Sequence, residues 1–181
     1  MLTSAKRVDF KGKNLFAVEQ SALGPMLRST PQNSASGLYM KVNADSATLR
    51  KVRWAWTVDR IQPGADLRDL KTEDSAATVF FVFGEPSWWS KDVPTIAYAW
   101  TATPVQNGAV IRSMRLSKMR YVQLRGAADV GRWRTERRDV AADYRLLFGE
   151  APPPLRYIAI FNDNDQTSAA VSAMFGPVFA E

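Results

Sequence analysis

The feature that most constrains the fold of this chain is a period-two alternation of large apolar residues with small or polar ones, recurring along most of its length. Trp54, Trp56 and Val58 alternate with Arg53, Ala55 and Thr57, and Ile96, Tyr98 and Trp100 alternate with Ala97 and Ala99. Met119, Tyr121 and Gln123 alternate with Arg120, Val122 and Leu124, while Leu155, Tyr157, Ala159 and Phe161 alternate with Arg156, Ile158 and Ile160. Successive side chains of an extended chain point to opposite faces, so each run reads as a strand. The run Ala76 to Phe83 (AATVFFVF) is apolar on both faces and predicts a central strand covered on both sides, or one at the heart of a sandwich. Further strands are expected around Asn14 to Val18, Pro25 to Ser29, Gly37 to Val42 and Ala170 to Phe179, and from Arg132 to Asp139 with one solvated face. A polar loop is expected over Ser29 to Gly37, and a rigid turn at Ala151-Pro152-Pro153-Pro154.

One helix fits the pattern. Asp139 can cap a segment whose apolar stripe is Val140, Tyr144, Leu147 and Phe148; Gly149 suits the left-handed position after it, and the prolines forbid continuation. Strands without alternating helices argue against a βαβ fold. The chain therefore predicts an all-β, antiparallel β-sandwich, with one short helix near 139–148 across an end or edge, as a single domain over 1–181.

Composition narrows the chemistry. The chain has no Cys and no His, which removes Ser-His-Asp and Cys-His nucleophiles, histidine acid–base catalysis and thiolate or imidazole zinc sites. The net charge of +6 is compatible with simple solubility. No aromatic RNA-recognition signature or basic recognition helix accompanies it, so nucleic acid is not the expected partner. No run approaches the roughly 20 apolar residues of a membrane helix. The N-terminus MLTSAKRVDFKGKN has no apolar core, so the chain as written predicts no export signal.

Two groups of residues can carry function. The segment Asn162-Asp163-Asn164-Asp165-Gln166-Thr167 places oxygen-bearing side chains after an apolar strand. With Asp74, Asp163 and Asp165 form a candidate site for a hard cation such as Ca²⁺, and no other cofactor is expected. An EF-hand is excluded by its missing Gly and Glu; Asx turns at a strand end are the structural alternative. Glu73 and Asp74 could instead form carboxylate couples with Asp163 or Asp165 in a hydrolase, or ion pairs with arginine. The second group is aromatic. Trp56, Tyr98 and Trp100, with Asp59 and the loop pair Trp88 and Trp89, are the candidate ligand-binding set, since flat apolar rings stack on sugar faces. Regular alternation suits Trp54, Trp56 and Trp100 better to the core than to a ligand.

Several segments in order resemble a bacterial domain-of-unknown-function family, the one numbered 3047. They are Ser34-Ala35-Ser36-Gly37-Leu38, Arg53 to Asp59, Glu73 to Phe83, Tyr98-Ala99-Trp100, Arg137 to Tyr144, Phe148-Gly149 with Pro152-Pro153, and Asp163 to Thr167. The resemblance implies a β-sandwich similar in outline to carbohydrate-binding jelly rolls, in proteins that are commonly exported to the periplasm, and it implies no activity. The chain departs from the resembled pattern at Pro177, where an acid is expected after Gly176. Without His or Cys, the balance lies toward recognition of a glycan or cell-envelope component, ahead of a protein-assembly role or a carboxylate-dependent hydrolase.

Overall fold

The computed structural model describes residues 5–45, 49–86 and 92–180. In chain order it contains β1 (Lys6–Lys11), β2 (Leu15–Ser21), β3 (Gly24–Thr30), β4 (Ala35–Ala44), β5 (Val52–Arg60), β6 (Ala77–Val82) and β7 (Thr95–Trp100). Then come β8 (Val110–Arg112), β9 (Met119–Arg125), a 3-10 turn at Ala127–Asp129, β10 (Arg134–Arg138), α1 (Val140–Phe148), β11 (Leu155–Asp163), β12 (Ser172–Phe175) and β13 (Phe179–Ala180). The strands form a sandwich of two sheets. The larger has the order β1-β4-β11-β6-β7-β9-β8; the smaller has β10-β5-β12-β3-β2, with β13 also on β5. β7 and β9 run parallel, and the other pairings among the described residues are antiparallel.

The core is aromatic. Trp54, Trp56 and Val58 of β5 turn inward against Phe81 of β6 and Ile96, Tyr98 and Trp100 of β7, all buried. Ring centroids lie 5.3 Å apart for Trp54–Tyr98, 5.6 Å for Trp56–Trp100 and 5.6 Å for Phe81–Tyr98. This corrects the expectation that Trp56, Tyr98 and Trp100 offer rings to a ligand: each is 0 % exposed. The large–small alternation of β7 sends its three large side chains to one face, and that face lies under the second sheet.

One other expectation shifts. The polar loop over Ser29 to Gly37 contracts to the residues between β3 and β4. Its serines are satisfied inside the protein: Ser36 Oγ accepts from the Asn14 N–H at 2.8 Å, and Ser34 Oγ donates to Asn14 Oδ1 at 2.7 Å. Buried hydroxyls with partners are compatible with strand, which composition alone does not reveal. β10 turns Glu136 inward while Thr135 and Arg137 are exposed. Its charges meet opposite charges, in Arg134–Asp129, Arg125–Glu136 and Arg138–Asp143 at 2.6–2.7 Å.

α1 forms where expected. Asp139 accepts from the Ala142 N–H at 2.8 Å, and Gly149 ends the helix at φ 76°. Tyr144 sits 4.6 Å from Phe83 and 4.5 Å from Phe148, ring to ring. Val140, Ala141 and Tyr144 join the core, so the helix closes the end of the sandwich where β11 begins. The other end of β11 leads to Asp163 and the candidate site.

Candidate functional site

The outer face of the larger sheet is built by strand register. Tyr39, Ala159, Phe80, Ala97 and Tyr121 form one row across β4, β11, β6, β7 and β9. The neighbouring rows are Gly37, Phe161, Thr78 and Ala99 on one side, and Lys41, Tyr157, Val82 and Thr95 on the other. Side chains paired across strands share a face, so these rows lie opposite the tryptophan core. At the β7–β9 side the face is covered by Leu67, which packs with Ala99, Ile111, Val105 and Tyr121. The remainder is open and forms a cleft of about 830 Å³.

Rings dominate its floor. Phe161 stands edge-on to Phe10 and to Phe80, each at 5.8 Å, and Tyr39 stands edge-on to Tyr157 at 5.9 Å. Phe10 is 63 % exposed. Gly37 permits the close approach of β4 to β11: a Cβ there would lie 2.3 Å from the Ile160 carbonyl oxygen. Near the far end, Tyr157 Oη donates to Glu85 Oε2 at 2.6 Å, and Lys41 lies 3.3 Å from Glu85 Oε1.

The near end is polar. Glu73, Arg115, Asp163, Asp165, Gln166 and Lys11 line it. Arg115 pairs with Glu73. Asp74 is 0 % exposed and anchors the loop after β11: its Oδ2 accepts from the N–H and Oγ1 of Thr167, both at 2.6 Å, and its Oδ1 from the Gln166 N–H at 3.2 Å. Asp163 Oδ1 accepts from the Ser75 N–H at 2.7 Å and Oγ at 3.0 Å. Asp165 Oδ2 accepts from Gln166 Nε2 at 3.0 Å and lies 3.3 Å from Lys11 Nζ. Burial pushes the Asp163 carboxyl well above the usual carboxylate range; the Ser75 N–H opposes this, and the charge of Asp74 adds to it. Burial also raises the Tyr121 phenol, with Asp163 contributing and Arg115 opposing.

The structure thus brings Asp74, Asp163 and Asp165 together, with one oxygen from each within 4.8 Å of the others. It does not bring Asp59 to them. Asp59 lies on β5 of the smaller sheet, where it pairs with Arg28. Trp88 and Trp89 lie outside the described residues. The cleft rings Tyr39, Phe80, Tyr121, Tyr157 and Phe161 were not singled out by their sequence. The available signal was a run apolar on both faces, Ala76 to Phe83, together with the rings of β11; an apolar outward row without a full second layer marks a candidate binding surface.

The family model for a protein of unknown function, DUF3047, matches residues 4–179. The chain belongs to the DUF3047 family. No curated protein matches this DUF3047 member in sequence. Solved structures share its fold. The xyloglucanase domain of NopAA, a type three effector from Sinorhizobium fredii, solved with cellobiose, is similar over 99 % of this chain and 95 % of its own, at 6 % identity and a TM-score of 0.52. Endoglucanase cel12A from Rhodothermus marinus is similar over 98 % of this chain and 92 % of its own, at 11 % identity and a TM-score of 0.52. At such identities the likeness is one of fold, and it supports the jelly-roll-like sandwich for this DUF3047 chain.

Proposed function

We propose that this protein is a glycan-binding module that holds a β-linked oligosaccharide in the cleft on the outer face of its larger sheet. The observation that carries this reading is the aromatic floor of Phe10, Tyr39, Phe80, Tyr157 and Phe161 with polar groups gathered at its ends. Flat rings match the C–H faces of pyranoses, and rim groups supply hydrogen bonds to hydroxyls. Two proteins of like fold are a xyloglucanase domain in complex with cellobiose and an endoglucanase, which makes β-glucans the first class to test.

Recognition is favoured over hydrolysis by the placement of the carboxylates. A glycosidase of the common kind sets two carboxyl groups on either side of the scissile bond. Here Glu73, Asp163 and Asp165 stand together at one end of the cleft, paired respectively with Arg115, Ser75 and Lys11. Calorimetry with xyloglucan and mixed-linkage β-glucan oligosaccharides tests the reading. Saturable binding without release of reducing sugar, lost in Phe80→Ala and Phe161→Ala variants that keep the parent melting temperature, is the expected result. Binding unaffected by both substitutions, or none across a glycan panel, would overturn it.

A further inference from the structure

The carboxylate cluster at the end of the cleft stands beside an independent feature. Among the described residues, four buried side-chain oxygens have no donor: Gln62 Oε1, Gln123 Oε1, Asp165 Oδ1 and Gln166 Oε1. Three of the four belong to the cluster or to residues that hydrogen-bond to it. Asp165 contributes its own Oδ1 from a side chain that is 9 % exposed. Gln166 holds Asp165 Oδ2 through its amide nitrogen at 3.0 Å. Gln62, 0 % exposed, holds the Asp163 carbonyl through its amide nitrogen at 2.5 Å, which places this amide next to Asp163. Buried acceptors normally have partners, and three without one around three carboxylates leave a place for a positive group. Lys11 does not fill it: its ammonium reaches Asp165 Oδ2 and the Asp165 carbonyl oxygen, and its side chain is 59 % exposed. Arg115 is engaged by Glu73.

We propose that Asp74, Asp163 and Asp165, with the amide oxygens of Gln62 and Gln166, form a Ca²⁺ site at the polar end of the cleft. The donors are all oxygen, which selects a hard cation. They come from three separate segments, the turn after β5, the approach to β6 and the loop after β11, in an irregular set that suits the flexible coordination of Ca²⁺ better than the strict octahedron of Mg²⁺. The ion ties these segments together at the end of the sandwich opposite α1. The site stands independently of the glycan reading, because its readout is the metal itself.

Chelator-treated full-length protein titrated with CaCl₂ and MgCl₂, followed by calorimetry and thermal melting, tests the site. The expected result is one Ca²⁺ per chain, a dissociation constant of about 10⁻⁵ to 10⁻³ M, a raised melting temperature and Mg²⁺ at least about tenfold weaker. Asp165→Asn weakens Ca²⁺ about tenfold or more, and Gln166→Leu weakens it measurably; Glu19→Gln, on the other sheet, leaves it unchanged. If Asp165→Asn does not fold without metal, Gln166→Leu carries the comparison. No Ca²⁺ response up to about 10 mM, equal response to Mg²⁺, or parent-like affinity in the folded variants overturns the proposal.

Discussion

The indole N–H of Trp56 donates to Glu136 Oε1 at 2.9 Å, across the pairing of β5 with β10. Glu136 is 6 % exposed, and Arg125 grips its two oxygens at 2.7 and 2.9 Å. One buried carboxylate therefore satisfies a core tryptophan and neutralises an arginine. Glu136→Ala orphans both partners, and urea unfolding is expected to show a loss of about 3 kcal/mol. Glu136→Gln keeps an acceptor and is expected to lose about 1–2 kcal/mol. Equal losses in the two variants would show that charge contributes nothing here.

Alkaline pH should unfold the protein through its buried phenols. Burial raises Tyr98 well above its ordinary value, with the Asp143 carboxylate adding to the effect, and burial pushes Tyr144 up to about 12. The folded state holds these protons more tightly than the unfolded chain, whose phenols titrate near pH 10. Their contribution is complete below about pH 10 and is lost as pH rises from there through the folded values. Stability measured from about pH 8 to pH 11 is expected to fall along the alkaline limb, and less steeply in Tyr98→Phe. An unchanged slope in that variant would remove Tyr98 from the account.

Gly37→Ala places a Cβ against the Ile160 carbonyl at 2.3 Å, closer than any real contact. β4 pairs with β11 at this point, Gly37 opposite Phe161. Backbone must move, with an expected loss of about 1–3 kcal/mol and weakened glycan binding, since Phe161 is part of the floor. A melting temperature equal to the parent's would contradict this.

Tyr157 separates stacking from hydrogen bonding in the cleft. Tyr157→Phe keeps the ring and loses the bond to Glu85; Tyr157→Ala loses both. If the ring stacks on a sugar, the alanine variant weakens β-glucan affinity about fivefold, near 1 kcal/mol, and the phenylalanine variant stays close to the parent. The reverse order in calorimetry would assign the affinity to the hydroxyl.

Removal of the helix cap is expected to be mild. Asp139→Ala loses the bond to the Ala142 N–H, and about 1 kcal/mol is the expected decrease in unfolding free energy. Because α1 packs into the core through Val140, Ala141 and Tyr144 and lends no residue to the cleft lining, glycan affinity should not change; a parallel fall in affinity would show that helix and cleft are coupled.

Strand alternation alone specifies the sandwich, because side-chain direction in a strand repeats every two residues and the alternation of β5, β7, β9 and β11 is written in the chain. Asp139 and Gly149 likewise marked α1 through local backbone chemistry. The acidic segment after β11 was legible as a cation candidate from its oxygen donors alone. Tertiary structure decided which face of each strand meets the second sheet. Period two separates Trp56, Tyr98 and Trp100 from Ala97 and Ala99 without saying which side is covered; in the fold those three rings are the core, and Tyr39, Phe80 and Phe161 line the open face. Contacts between residues far apart in the chain did the rest. Asp74 meets the 163–167 loop, and Glu136 meets Trp56 and Arg125, only because strand pairing brings those segments together, and no local pattern records that.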